Sequence, residues 1–402
     1  MKPGVEARVA SARALGRILR GGAWSNVVVD AVSRSLSDDD RRLVRRLVFG
    51  TLRNLNRIDA GLDRHLARGL DATDTSVLDV LRIGAYEVTV GGGAHHGAVD
   101  SAVEAVREVG RPRASGLVNG VLRNVIRNRM EEPPIDDLAA KHGVAGWLVA
   151  DLTTTLGSDG AAAFLASSET DAPRTARVRP GATGDPASTP TAIEDVVGLP
   201  PGAVADGCVI QDVASAAVVR ALGDVTGTRV LDMAAAPGGK TLQIWDAGPD
   251  LLVASDVHVG RLVRAKRRLT ALGFDGPWLH ADGQALPFPD DTFDRVLLDA
   301  PCTGLGTLRR RPELRYRVNE TEVRRLAAMQ RRMLAEAHRV AAPGGRVVYS
   351  VCTVTRAETV DIAREFGGRA PDLPLGDAGA VGRLLTPHRD GSDGMFIALF
   401  GD

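Results

Sequence analysis

The sequence predicts a multidomain protein: an all-α helical bundle over 1–130, a linker at 131–140, a small α+β subdomain over 141–205, and an α/β domain with a parallel sheet over 206–402. Three observations lead there. Apolar residues recur at helical spacing from 5 to 129, a Pro/Gly/Thr-rich passage of weak periodicity fills 171–205, and from about 206 short apolar runs alternate with helical stretches. At 402 residues the chain is too long for one ordinary domain and long enough for two or three, each with its own core.

In the first region Val9, Ala12, Leu15 and Leu19, then Leu43, Leu47 and Val48, Val77, Leu78 and Leu81, Val99, Val103 and Val106, and Val118, Val121, Leu122 and Val125 each mark one face of a helix. Asp38 opens "DDDRRLVRRLVFGTLRNL", acids first and arginines after, in agreement with the helix macrodipole. "EEPPIDDL" at 131–138 breaks the pattern with two prolines and four acids. Short helices are expected at "GWLVADLTTTLG" and "GAAAFLASS". The strands of the last region are "TRVLDM", "LLVASD", "DRVLLDA" and "GRVVYSV", alternating with helices at 239–246, 258–272 and 321–340, the sign of a parallel sheet wrapped by helices.

Three cysteines at wide spacing, Cys208, Cys302 and Cys352, fit neither a disulfide framework nor paired metal ligands, so a reducing cytoplasm is expected. No apolar run reaches the roughly 18 residues that span a bilayer, and no signal peptide is evident. His95-His96 lack partners at metal spacing and read as an exposed loop, so no metal is expected. Formal net charge is zero, yet residues 1–130 carry 21 Lys/Arg against 14 Asp/Glu. Arginine supplies nearly all the basic charge, which suits phosphate, although a GC-rich genome would favour Arg just as well. Composition therefore does not decide for RNA. Of the basic clusters, "RLVRAKRR" (261–268) and "RRLAAMQRR" (324–332) read as solvated helix faces, whereas "RRRPELRYR" (309–317) is expected to meet RNA phosphates. Tyr316 and Trp278 are candidate base-stacking platforms.

"RVLDMAAAPGGKT" (229–241) places Asp232 at a strand end, followed by a small-residue loop that is neither GxGxxG nor a Walker A. Asp256 ends the next strand, 24 residues on, where an acid can accept from both ribose hydroxyls, and Asp282 follows in "HADG", within reach of an adenine amino group. Any one of these could simply cap a turn. Their order carries the weight, and it points to an adenosine ligand without a pyrophosphate, S-adenosylmethionine.

"DRVLLDAPCTGLGTLRRRPELRYR" then sets Asp299 and Cys302 just past another strand, with Gly304 and Gly306 free to pack against a flat ligand. Cys352 ends the strand after that. Since adjacent strands lie about 4.8 Å apart, two thiols and a carboxyl group can converge. A lone buried cysteine is usually structural; two at neighbouring strand ends point to chemistry. Carbon 5 of cytosine is a poor nucleophile, and a thiolate adding to carbon 6 makes it reactive toward a sulfonium methyl while an acid stabilises charge at N3.

The motifs "AAAPGGKT", "ASDVHVGR", "DAPCTGLGTLRRRPEL", "YSVCT" and "DGMFIALF" resemble, in order, the Nol1/Nop2/Sun family of RNA cytosine-5 methyltransferases over roughly 206–402. "VLDVLRIGAYEV" and "AVDSAVEAVREVG" resemble NusB, an RNA-binding bundle. The resemblance implies a NusB-like bundle, then a Rossmann-like class I methyltransferase domain. It implies Cys352 as nucleophile, Cys302 assisting release and Asp299 at cytosine N3. Its donor site maps onto Ala234, Ala235, Ala236, Pro237, Gly238, Gly239, Lys240, Asp256, Arg261, Asp282 and Asp299. The implied partner is small-subunit ribosomal RNA, met by a monomer in the cytoplasm with no membrane. Ala234 replaces a common Cys, Val351 a Thr, "RAET" (356–359) an acidic pair followed by Asn, and "RVR" (177–179) an "RVN" element. Competing readings are attack by Cys302, as in DNA cytosine-5 methyltransferases, another RNA such as tRNA as substrate, and a non-catalytic RNA-binding or antitermination factor that keeps the fold.

Overall fold

The computed structural model describes residues 4–92, 95–128, 137–200, 203 and 207–401. Most of the expected linker, 131–136, and the expected boundary at 205/206 lie outside the described residues. The chain forms two compact units, residues 1–149 with 310–317 and residues 150–309 with 318–402.

The first unit is helical: α1 (Val5–Leu19), α2 (Ser25–Ser33), α3 (Asp38–Arg53), α4 (Leu55–Asp63), α5 (Thr75–Thr89), α6 (His95–Glu108), α7 (Ser115–Asn128) and the short α8 (Leu138–His142). The apolar stripes read from the sequence form its core, with Leu15, Leu47, Leu81 and Leu122 fully buried. Ser37 caps α3 by accepting from Asp40 N at 3.2 Å, and Asp74 caps α5 through Ser76 N at 2.9 Å. His95 and His96 are exposed, but they form the first turn of α6 rather than a loop.

The helical span α9 (Gly146–Ser167), in the second unit from Ala150 on, breaks at Gly157, where φ is 75° and ψ 168°, so two short helices stand as expected. A four-stranded antiparallel sheet follows, order β2-β3-β1-β4, from β1 (Thr175–Val178), β2 (Thr189–Pro190), β3 (Val196–Gly198) and β4 (Cys208–Ile210). Arg177 on β1 is fully buried and donates to Asp246 Oδ2 at 2.6 Å, while Arg179 donates to Asp246 Oδ1 at 2.7 Å. Both arginines of "RVR" thus meet one carboxylate.

The large sheet is built from β5 (Arg229–Asp232), β6 (Leu251–Asp256), β7 (Trp278–His280), β8 (Phe293–Asp299), β9 (Ala341–Val351), β10 (Asp377–Ala378), β11 (Arg383–Leu385) and β12 (Met395–Phe400), in the order β10-β11-β12-β9-β8-β5-β6-β7. Helices α10 (Val213–Arg220), α11 (Gly239–Asp246) and α12 (Val259–Thr270) precede β7, and α13 (Leu314–Arg317) belongs to the first unit; α14 (Glu320–Val340), α15 (Val360–Glu365) and α16 (Pro387–Asp390) follow. Val230, Leu297 and Val348 face one core, and Leu231, Val296 and Val347 the other. Strands buried on both faces must be apolar throughout, which explains the continuous runs.

The five strands β9 to β7 are parallel as expected, but β12, β11 and β10 pair antiparallel at one edge, so the sheet is mixed. Only residues 386–394 separate β11 from β12, too few for a parallel crossover. Strand order reverses between β5 and β8. A crevice at the carboxyl ends of the strands is expected at such a switch point.

The run 309–317 corrects the RNA reading. Arg315 Nη1 donates to Arg53 O at 3.2 Å and to His142 O at 3.1 Å, and Arg317 Nη2 to Ile18 O at 2.7 Å and Ala23 O at 2.6 Å. Carbonyls at helix C-termini lack intrahelical donors and carry negative partial charge, so they compete with phosphate for a guanidinium. Tyr316 is no stacking platform either: its hydroxyl donates to Leu52 O at 2.8 Å, and burial pushes its pKa up to about 12. Trp278 packs edge-on against Phe274, ring centres 5.3 Å apart. No helix among the described residues is long and apolar enough to cross a membrane, and no group of three or more His, Cys, Asp or Glu there could hold a metal ion.

Candidate active site

The carboxyl ends of β5, β6 and β8, with the turn after β7, carry the predicted acids. Asp232, 1% exposed, accepts from Thr241 Oγ1 at 2.7 Å. Burial pushes its pKa up to about 7, with Asp299 and Asp256 adding repulsion. The loop after it is shaped by Ala235 N donating to Ser255 O at 2.9 Å, Gly238 N to Ala235 O at 2.7 Å, and Ala236 N to Asp256 Oδ2 at 3.2 Å. Gly238 has φ +95°, and a Cβ there would lie 2.8 Å from Leu269 Cδ1, so only glycine lets α11 start here.

Asp256 also accepts from His258 N at 2.8 Å, and the exposed Asp282 from Gln284 N at 2.9 Å. Both acids therefore shape their own turns. A carboxylate offers about four lone-pair sites, so each keeps capacity for a ligand. Arg261 sits exposed in the first turn of α12, and among the described residues no hydrogen bond or ion pair joins it to these acids.

Register brings the reactive groups together. Asp299 and Ser350 are partners on β8 and β9, and Ser350 Oγ donates to Asp299 Oδ1 at 2.8 Å. Lys240 Nζ donates to Asp299 Oδ2 at 2.7 Å. Burial opposes the Lys240 ammonium, but Asp299 and then Cys352 outweigh it and hold its pKa above the ordinary lysine value. Lys240, on the 234–240 loop, thus interacts with both Asp299 and Cys352, which the sequence reading does not anticipate.

Just beyond these strand ends the half-buried Cys302 and Cys352 face each other with sulfurs at a hydrogen-bonding 3.4 Å. The hydrogen bond to Cys352, then burial, then the charge of Cys352 push the Cys302 pKa well up. Of the two sulfurs, it is Cys302 whose thiol form the pair favours.

Gly306 is where the structure departs from expectation. Its N donates to Cys352 O at 3.0 Å and its carbonyl accepts from Gly394 N at 2.8 Å, so it packs against backbone, not against a flat ligand. Sequence reasoning also misses Glu358 and Gln330, whose side chains hydrogen-bond residues of the two cysteine loops. The only local signal is an acid surviving in "RAET".

Residues 219–401 match the family model described as 16S rRNA methyltransferase RsmB/F, and residues 5–127 match the NusB family. The chain is 32% identical over 429 residues to ribosomal RNA small subunit methyltransferase B of Xanthomonas campestris pv. campestris, covering 98% of this chain and 97% of that one. Among solved structures, PH0851 aligns with TM-score 0.84 at 21% identity over 100% of this chain and 99% of that chain. NSun6 from Pyrococcus horikoshii with SFG aligns at 0.55 and 18% identity, over 64% and 98%. At these identities the two attest the fold. With a relative this similar over nearly its whole length, the chain belongs to the RsmB/F family of 16S rRNA methyltransferases, its methyltransferase domain preceded by a NusB-family domain.

Proposed function

We propose that this protein methylates carbon 5 of a cytosine in 16S rRNA, with S-adenosylmethionine as donor and Cys352 as covalent nucleophile. The observation that carries the reading is the pair of sulfurs 3.4 Å apart beside a carboxylate that bridges Lys240 and Ser350. The donor fits the site: a glycine-limited loop, with Asp256 and Asp282 keeping acceptor capacity for hydroxyl and amino groups. Ala234–Lys240, Asp256 and Asp282 would hold it, with Arg261 at the rim. When bound, it supplies an electrophilic methyl group.

The chain's residues do the rest. The Cys352 thiolate, near the Lys240 ammonium, adds to carbon 6 of the base, and a proton carried by Asp299 passes to N3 as negative charge builds there, leaving Asp299 as the carboxylate. Once sulfur is bonded to carbon its negative charge is gone. The hydrogen bond to a Cys352 anion and its charge then no longer raise the Cys302 pKa, so within the adduct Cys302 releases its proton to water and, as a thiolate, takes the carbon-5 proton. Elimination breaks the S–C6 bond and restores Cys352. We assign the protein to the cytoplasm as a monomer acting on RNA, the helical N-terminal region (1–130) and the small sheet region (141–205) binding the substrate and the 206–402 region carrying the chemistry.

Bisulfite sequencing of 16S rRNA from strains with and without the gene tests this. One protected cytosine is expected to become convertible in the deletion strain, whereas an unchanged pattern overturns the reading.

A further inference from the structure

Glu358 is fully buried, where a carboxylate persists only with its oxygens hydrogen-bonded. Oε1 accepts from Thr303 N at 2.9 Å and Gln330 Nε2 at 3.0 Å; Oε2 accepts from Thr303 Oγ1 at 2.6 Å and Thr355 Oγ1 at 2.8 Å, with Thr353 Oγ1 at 3.4 Å. Thr303 follows Cys302 and Thr353 follows Cys352, and the two threonine hydroxyls lie 2.8 Å apart. Gln330 Nε2 also donates to Pro301 O at 2.8 Å, and Tyr349 Oη donates to Glu358 O at 2.7 Å. Among the described residues no ion pair reaches Glu358. Neutral donors hold its charge, and most come from the two loops that carry the sulfurs.

We infer that Glu358 is a positioning residue that clamps the Cys302 loop to the Cys352 loop and so sets the separation of the two thiols. The inference deepens the proposed function and rests on it. Alanine at 358 leaves the Thr303 and Gln330 N–H groups without their acceptor and frees both loops. Glutamine keeps the pattern: its Oε1 can take the two N–H donors while its amide N–H groups donate to the hydroxyls of Thr303 and Thr355.

The experiment uses the purified full chain with 16S rRNA and compares Glu358→Ala, Glu358→Gln and Thr303→Val for kcat and for S-adenosylmethionine dissociation constant. Glu358→Ala is expected to lower kcat about 30- to 100-fold, the scale of an ångström of misplacement, with donor affinity within about twofold of wild type. Glu358→Gln is expected to restore kcat to within about fivefold, and Thr303→Val to cost about tenfold. The split between kcat and donor binding, with rescue by the isostere, is what a merely structural role does not produce. Wild-type kcat in Glu358→Ala overturns the inference, as does Glu358→Gln with full donor binding yet the deficit of Glu358→Ala. Should Glu358→Ala fail to fold, wild-type kcat in Thr303→Val overturns it. A wild-type protein that methylates no cytosine overturns the underlying reading instead.

Discussion

Alanine in place of Gly306 puts a methyl group into a gap closed by backbone on two sides. Its Cβ would lie 2.0 Å from Gly394 O, 2.6 Å from Gly394 C and 2.9 Å from Cys352 O. Real Cβ contacts essentially never fall under 3.0 Å, so one wall must retreat by at least about 1 Å. Neither wall is a side chain that can rotate away. Retreat of Cys352 O stretches the 3.0 Å bond from Gly306 N and carries the sulfur with it; retreat of Gly394 breaks the 2.8 Å bond to Gly306 O. Overpacking of this kind costs about 1–3 kcal/mol of stability, and an ångström of displacement at the nucleophile costs about 100-fold in rate. Transfer of labelled methyl to 16S rRNA measures the rate, chemical denaturation the stability, and calorimetry the donor affinity, which should be preserved because the 234–240 loop is untouched. A Gly306→Ala protein with wild-type turnover and an unshifted denaturation midpoint would show that the contact does not fix Cys352.

Asp232 makes stability pH-dependent. Its pKa is raised from 3.8 to about 7 on folding, so the folded state binds the proton that the unfolded chain has already lost. The stabilisation is complete below the unfolded value and disappears as pH climbs through about 7; between about pH 5 and about pH 7 the second unit should lose roughly 2 kcal/mol from this group. Denaturation of the donor-free protein across that range measures it, and Asp232→Asn should flatten the slope; an equal slope in the variant excludes Asp232 as its source. Arg315→Ala removes donors from Arg53 O and His142 O and should destabilise the first unit by about 1–3 kcal/mol. RNA affinity and its salt slope should stay unchanged in filter-binding titrations; a slope reduced by about one unit would return Arg315 to the phosphate contacts.

Much of this was legible in the chain because the signals were local. Helical periodicity gave the bundle, the strand-end acids were found together at the carboxyl ends of the strands, and two cysteines one strand apart were found facing each other. The rest depended on partners distant in sequence. Glu358 acts on Thr303, 55 positions away, and nothing about an acid in "RAET" announces that. Gly306 looked like a ligand-facing glycine, but Gly394 and Cys352 supply the atoms that demand it. The arginines of 309–317 read as phosphate ligands because local charge density cannot distinguish phosphate from the carbonyl end of a helix. The antiparallel edge was hidden for a similar reason, since an apolar run such as "MFIALF" is the same string in either strand direction.

The roles of the two thiols can be separated by trapping. Incubated with 16S rRNA and S-adenosylmethionine, then resolved under denaturing conditions, Cys302→Ala protein is expected to run as a protein–RNA adduct, because addition to carbon 6 proceeds while removal of the carbon-5 proton is blocked. Cys352→Ala protein is expected to give none. Adduct from Cys352→Ala and none from Cys302→Ala would exchange the two roles and contradict the assignment of the nucleophile.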